Sequence, residues 1–336
     1  AMRTSVAAGS TLLPCEEGQE GGSKERLAIH PSPIALKRES APPHRGVGNK
    51  PVVLVTSRTQ SMPASALMNV MLGAARKAGR SLARDFGEVE ALQVSLKGPA
   101  NFVSAADTRA EEILHKELAR ARPGYGILFE ERGLIEGADK THRFIIDPLD
   151  GTTNFLHGIP HFAISIGLER DRELVAGLIY NPATNEVFTA ERGKGAFLND
   201  KRIRVAARQD LADCVIVTGI PHRGKPDQDL FLKEMGAVMA VTSGVRRTGA
   251  AALDLAWVAA GRFDGFWERN LRPWDLAAGI VILREAGGFV SDMSGKDRML
   301  EEGSVVAGNE AIQRKLLKLL KGAAGGAGGT GAGAAS

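Results

Sequence analysis

The stretch Phe144-Ile145-Ile146-Asp147-Pro148-Leu149-Asp150-Gly151-Thr152-Thr153-Asn154-Phe155 constrains this chain more than any other. Phe144, Ile145 and Ile146 form a short apolar run of the kind that becomes a strand covered on both faces. Pro148 fixes φ and donates no ladder hydrogen bond, so the strand is expected to end at Asp147 and the chain to turn. A bend there lets Asp147 and Asp150 converge instead of facing opposite sides of a strand. Two converging carboxylates repel, and a hard cation such as Mg2+ removes that cost. Gly151 permits close backbone approach, while Thr152 and Thr153 suit the first turn of a helix whose free N–H groups favour a phosphate. Taken singly, Asp-Pro, Asp-Gly and a capping Thr are ordinary turn chemistry. The whole block is what carries a metal and phosphate reading.

The nine residues Asp147-Pro148-Leu149-Asp150-Gly151-Thr152-Thr153-Asn154-Phe155 resemble the signature of the inositol monophosphatase family of Mg2+-dependent, lithium-sensitive phosphatases. The remaining acids fall in that family's order. Glu130 ends a short apolar run, 126–129, and resembles the family's metal-ligating Glu, although Phe129 stands where a Gly often precedes it. By the residues alone, Glu130-Glu131 is equally an exposed turn. Lys97 and Asp107 flank a turn-rich loop before a helix at 105–121, and the resemblance places both beside the metal site. Without it they read as a solvated Lys and a helix-capping Asp. Trp274-Asp275 resembles the family's second motif, and Glu268 a position that reaches a substrate hydroxyl. Gly249 and Ala250 resemble a place where backbone nears those hydroxyls, though small residues at a helix start serve packing as well. Arg269 and Arg272 are candidates for a further anion contact.

The resemblance implies a ligand set of Glu130, Asp147, the Leu149 carbonyl, Asp150 and Asp275 for two or three Mg2+ ions. It assigns catalysis to Glu130, Thr152 and Asp107. Substrate contacts fall to Gly151, Thr152, Thr153, Gly249, Ala250, Glu268 and Lys97. The expected reaction is hydrolysis of inositol 1-phosphate or a related sugar phosphate. Fructose bisphosphate, histidinol phosphate and phosphoadenosine compounds are alternatives on the same scaffold, and a non-catalytic accessory role in ribosomal RNA transcription belongs to a different class. A homodimer is implied as well.

The rest of the chain sets the frame. With 336 residues, 43% hydrophobic and 24% charged, it can bury a substantial core. Helical periodicity at 64–86, 105–121, 227–240, 253–260, 275–285 and 310–320 alternates with strand-like runs at 162–168, 174–180, 186–190, 196–198, 215–218, 287–290 and 305–307. The pattern alone reads as α+β or α/β. The resemblance, spanning roughly 64–320, implies an α+β layered αβαβα sandwich with mixed, largely antiparallel sheets.

Residues 1–61 hold six of the fifteen prolines and no sustained period, and are expected to be a disordered extension ahead of Met62. Residues 62–321 form the expected catalytic domain and 322–336 a flexible Gly/Ala-rich tail. Of the net charge of +4, the first 61 residues carry +3, so the remainder is nearly neutral and a general nucleic-acid surface is not supported. The absence of a long apolar run and the two cysteines, Cys15 and Cys214, which are not expected to pair, make a cytoplasmic protein the default. His157 and His161 are spaced four apart but interrupted by Pro160, and read as loop residues. His222 reads the same way.

Overall fold

The computed structural model describes residues 65–88, 94–96, 102–221 and 226–325, with backbone alone at 94–96 and 102–104. Lys97 and His222, the disorder expected of 1–61, and the end of the Gly/Ala-rich tail lie outside the described residues.

Two helices form the first layer. α1 (Ala66–Phe86) starts where Ser65 Oγ accepts from Met68 N at 3.1 Å, an N-cap that satisfies one free donor. Met68, Met71, Ala74, Ala75, Ala78 and Leu82 recur at helical spacing and are buried. α2 (Ala105–Ala121) lies against it, after a short β1 (Val94–Leu96) and β2 (Phe102–Ser104) pair.

The large sheet comprises β3 (Tyr125–Phe129), β4 (Gly133–Ile135), β5 (Asp139–Asp150), β6 (Ala163–Arg170), β7 (Glu173–Asn181), β8 (Glu186–Glu191), β9 (Gly195–Leu198) and β10 (Lys201–Arg202). Its order is β10-β9-β8-β7-β6-β5-β3-β4, antiparallel throughout except for the parallel pair β3 and β5. The smaller sheet holds β11 (Val215–Thr218), β12 (Gly244–Arg246), β13 (Gly265–Arg269), β14 (Phe289–Ser291) and β15 (Ser304–Gly308) in the order β12-β11-β13-β15-β14. Its β11–β12 and β11–β13 pairs are parallel and the other two antiparallel.

Between the sheets lie α5 (Ala251–Ala259) and α6 (Pro273–Glu285); α4 (Gln228–Met239) and α8 (Glu310–Gly325) cover the far face of the smaller sheet. Strand alternation produces this division. Val217, Phe266, Val305 and Ala307 point to α5 and α6, whereas Ile216, Trp267 and Val306 point to α4 and α8. The result is a layered αβαβα architecture, with α3 (Thr152–Leu156) and α7 (Met299–Glu302) as short additions. α6 approaches the large sheet closely because two glycines face it. A Cβ on Gly177 would lie 2.4 Å from Ala278 O, and one on Gly167 2.7 Å from Ala277 Cβ.

Two expectations need correction. β5 does not stop at Asp147; it runs on through Pro148 to Asp150. Asp147 pairs with Ser165 and Asp150 with Ala163 on β6, so the Pro-Leu step is a bulge in which a missing proline N–H costs the ladder nothing. α8 also continues past Leu320 to Gly325, into the stretch read as tail. Among the described residues no helix is long and apolar enough to cross a membrane. Cys214 is buried, its thiol donating to Asp210 O at 3.0 Å.

Candidate active site

A cleft of about 500 Å3 opens where β3, β5, α3, α5, β13 and α6 meet. Glu130, Asp150, Gly151, Thr152, Thr153, Gly249, Ala250, Glu268 and Asp275 all line it. These nine expected site residues come from four separate stretches of chain, and the fold brings them to one place. A larger groove of about 980 Å3, near Lys140, Glu173 and Asp297, contains none of them and has both signs of charge at its rim.

Each acid is positioned by local structure. Asp147, 2% exposed, accepts from Leu149 N at 2.9 Å, an Asx-type contact that shapes the bulge. Asp150, 8% exposed, accepts from Ala252 N at 2.8 Å and is thereby tied to the first turn of α5. Asp275 sits in the first turn of α6 and accepts from Arg272 N at 2.7 Å, an arrangement that both caps the helix and holds the carboxylate. Glu130 follows the last residue of β3. Its turn is fixed by buried Glu111, which accepts from Glu131 N at 3.3 Å and pairs with Arg132 Nε at 2.6 Å. Phe129, where the family pattern often has Gly, is fully buried beside His115 and so serves packing.

The electrostatics show how closely these groups are associated. Burial pushes Asp147 well above the usual carboxylate range, and the charges of Glu130, Asp150, Asp275 and Asp107 push it further. Asp150 is raised by burial and then by Asp275, against the opposing Ala252 N–H, with Asp254 and Glu130 adding to the rise. Asp107, in the first turn of α2 and 1% exposed, therefore lies within range of the same group. Among the described residues, no three such side chains close on a point in the manner of a finished metal site. The donor set nevertheless fits a hard divalent cation: it is all oxygen, rich in negative charge, and destabilised by its own repulsion.

The phosphate-binding expectation centres on α3. Gly151 precedes it at φ 87°, and a Cβ there would meet His161 O at 2.9 Å, so only glycine fits. The first N–H groups of a helix have no partner within it. Thr152 Oγ1 donates to Leu149 O at 2.9 Å, which leaves its oxygen able to accept.

The opposite wall holds Glu268, raised well above the usual range by burial and by Asp254, Asp275 and Asp150, while Arg247 opposes the rise. Arg269 is not a free anion contact. Its guanidinium is held by Glu234 of α4, which is fully buried, with Nη2 to Oε1 at 2.6 Å. Sequence reasoning missed four residues here: Asn154, Arg247, Asp254 and Gly219. It also took His161 for a plain loop residue, whereas the ring packs edge-on against Trp257 with its Nε2 3.9 Å from Asp254 Oδ1. The only prior signal was the run of small residues at 249–252, which reads as packing.

Comparison with known proteins agrees with this geometry. A model of the inositol monophosphatase family matches residues 64–324. Inositol-1-monophosphatase of Mesorhizobium japonicum is 65% identical over 257 residues, covering 76% of this chain and 97% of that protein. Nus factor SuhB of Escherichia coli (strain K12) is 42% identical over 251 residues, covering 75% and 94%. The crystal structure of extragenic suppressor protein suhB from Bartonella henselae superposes with a TM-score of 0.75 at 61% identity, covering 76% of this chain and 99% of the other.

Proposed function

The chain belongs to the inositol monophosphatase family, and on that premise we propose that it is a Mg2+-dependent phosphomonoesterase acting on inositol 1-phosphate or a related sugar phosphate. One observation carries the reading. Glu130 from upstream and Asp275 from far downstream come close enough to the β5 aspartates, Asp147 and Asp150, for their charges to raise the proton affinity of both, and Glu130, Asp150 and Asp275 line one cleft.

Glu130, Asp147, the Leu149 carbonyl, Asp150 and Asp275 would hold two or three Mg2+ ions, with Asp107 adding negative charge behind them. Bound divalent cations neutralise phosphate charge and lower the pKa of water, which is what slow phosphate-ester hydrolysis needs. Glu130 and the Thr152 oxygen orient the attacking water, and Glu130 takes its proton. The backbone N–H groups of Gly151, Thr152 and Thr153 carry the phosphate oxygens. Glu268, with the backbone of Gly249 and Ala250, receives the polyol hydroxyls, and Lys97 completes the substrate contacts. Attack at phosphorus breaks its bond to the polyol oxygen, which takes a proton from solvent water and leaves as the free alcohol, while the proton held by Glu130 returns to solvent. No covalent link to the chain is formed.

The test is phosphate release from inositol 1-phosphate, fructose 1,6-bisphosphate, histidinol phosphate and phosphoadenosine phosphate, with Mg2+, with chelator and with added lithium. Mg2+-dependent, lithium-inhibited release from inositol 1-phosphate is expected. No release from any of the four would overturn the reading.

A second reading comes from the Escherichia coli relative named a Nus factor. An accessory role in ribosomal RNA transcription would use a protein partner, because the chain beyond residue 61 is nearly neutral. The complete set of acids favours catalysis as the primary role. A homodimer and a cytoplasmic location belong to the same proposal; light scattering tests the first.

A further inference from the structure

The two ends of the cleft are built from stretches that one side chain joins. Asn154 of α3 is 3% exposed, and its Nδ2 donates to Thr248 O at 2.9 Å and to His161 O at 2.8 Å. An amide nitrogen has two hydrogens, so both are spent on main-chain carbonyls. Thr248 is also held from its other side, where its Oγ1 donates to Asp254 Oδ1. Asp254, 1% exposed, returns to the same loop through its own N–H, which donates to Ala250 O at 3.0 Å. The loop between these anchors consists of Gly249 and Ala250, with Gly249 at φ 92°. It has almost no side chain of its own to fix it. Little slack remains at the joint: a Cβ on Gly151 would lie 3.2 Å from Ala250 Cβ, and one on Gly249 3.2 Å from Asn154 Nδ2.

We propose that Asn154 and Thr248 are positioning residues that couple the phosphate end of the cleft to its polyol end, so that filling one end tightens binding at the other. The inference rests on the phosphatase reading and extends it to two side chains assigned no substrate contact. The argument is one of shared ordering. Residues 151–153 belong to the phosphate end and residues 249–250 to the polyol end, and Asn154 bonds the first segment to the carbonyl that precedes the second. A ligand that settles either segment also settles the other, and the second ligand then binds at a lower entropic cost. By linkage the effect must be the same in both directions. An amide that merely satisfied two buried carbonyls would contribute to stability and leave the ligands independent.

The experiment uses the whole chain with saturating Mg2+. Isothermal titration gives the affinities of inorganic phosphate and of myo-inositol, each alone and in the presence of the other. In the wild-type protein phosphate is expected to tighten inositol binding, and inositol to tighten phosphate by the same factor. Asn154→Leu should reduce that factor by about fivefold, the effect of one lost neutral hydrogen bond. Thr248→Val should reduce it in the same direction, and Thr248→Ser should restore it. Thermal melts establish that each variant is folded, and if Asn154→Leu does not fold, the Thr248 pair decides. A wild-type coupling factor of one, or an undiminished factor in folded Thr248→Val, overturns the inference. If the wild type neither binds phosphate nor releases it from any ester tested, the phosphatase reading itself fails and the inference falls with it.

Discussion

The carboxylate of Glu268 fills the space in which a side chain at Gly219 would begin: a Cβ on Gly219 would lie 1.9 Å from Glu268 Oε1 and 2.1 Å from its Cδ. Any side chain at 219 must therefore displace the group assigned to the polyol. Gly219→Ala should raise KM for inositol 1-phosphate by about tenfold, the order of one hydrogen bond to a charged group. Inhibition by inorganic phosphate should change less than about twofold, since uniform loss of one contact leaves the other end intact. Steady-state kinetics with phosphate as product inhibitor separate the two.

Asp147→Asn removes one of the mutually repelling acids, with opposite effects on activity and stability. Phosphate release should fall by at least about a hundredfold, the upper range for losing even a supporting contact to a metal site. Without divalent cation the variant should melt above the wild type, because a buried charge and its repulsion are gone. Mg2+ should raise the melting temperature of the wild type and barely affect the variant. Melts in Mg2+ and in chelator, set beside the activity assay, check all three outcomes.

Burial pushes the Asp254 carboxyl up to about 7, against the Thr248 hydroxyl and the Arg247 guanidinium. A raised acid binds its proton more tightly when folded. Its stabilising contribution is full below the unfolded value of 3.8 and is lost as pH rises through about 7. The slope from this group cannot exceed about 1.4 kcal/mol per pH unit. His161, lowered by burial to about 4, stays neutral over most of that window. Asp254→Asn keeps an acceptor for Thr248 and titrates nothing. Its melting temperature should fall less steeply than that of the wild type between pH 4 and 7, and parallel curves would count against the assignment.

Gly177→Ala would drive a methyl group into the main chain of α6 at Ala278. Overpacking of this kind costs about 1–3 kcal/mol. The melting temperature should drop by several degrees, at roughly 2–4 °C per kcal/mol for a domain of this size. Because α6 carries Asp275 in its first turn, kcat should fall as well, although residue 177 is remote from the acids. Calorimetry paired with kinetics reads both.

Asp147 and Asp150 stood out in the sequence because they flank a proline at the end of an apolar run, whereas Glu130 and Asp275, by the residues alone a turn acid and a helix-start acid, were singled out by the family resemblance. The alternating periods alone reached only α+β or α/β, and the layered αβαβα arrangement came from the family resemblance. What could not be read depended on distant partners. The continuation of β5 through Pro148 is decided by its pairing with Ser165 and Ala163. Arg269 looked like a free cation because Glu234 lies 35 residues away. Asp254, within a short apolar helix, drew no reading of its own, and Asn154 entered only as part of the motif. Their roles exist only once α3 and α5 face each other.

The bulge at Pro148 and Leu149 also sets how this site can change. Three steps along β5, from Asp147 to Asp150, are matched by two along β6, from Ser165 to Ala163. Side chains alternate along a strand, so an uninterrupted strand would send the two acids to opposite faces of the sheet. Deleting or inserting one residue between them would undo the match while leaving both aspartates in the chain. Such a variant would retain every catalytic letter and lose the site. Spacing thus specifies this site as firmly as composition does, because the register with β6 depends on how many residues stand between the two aspartates.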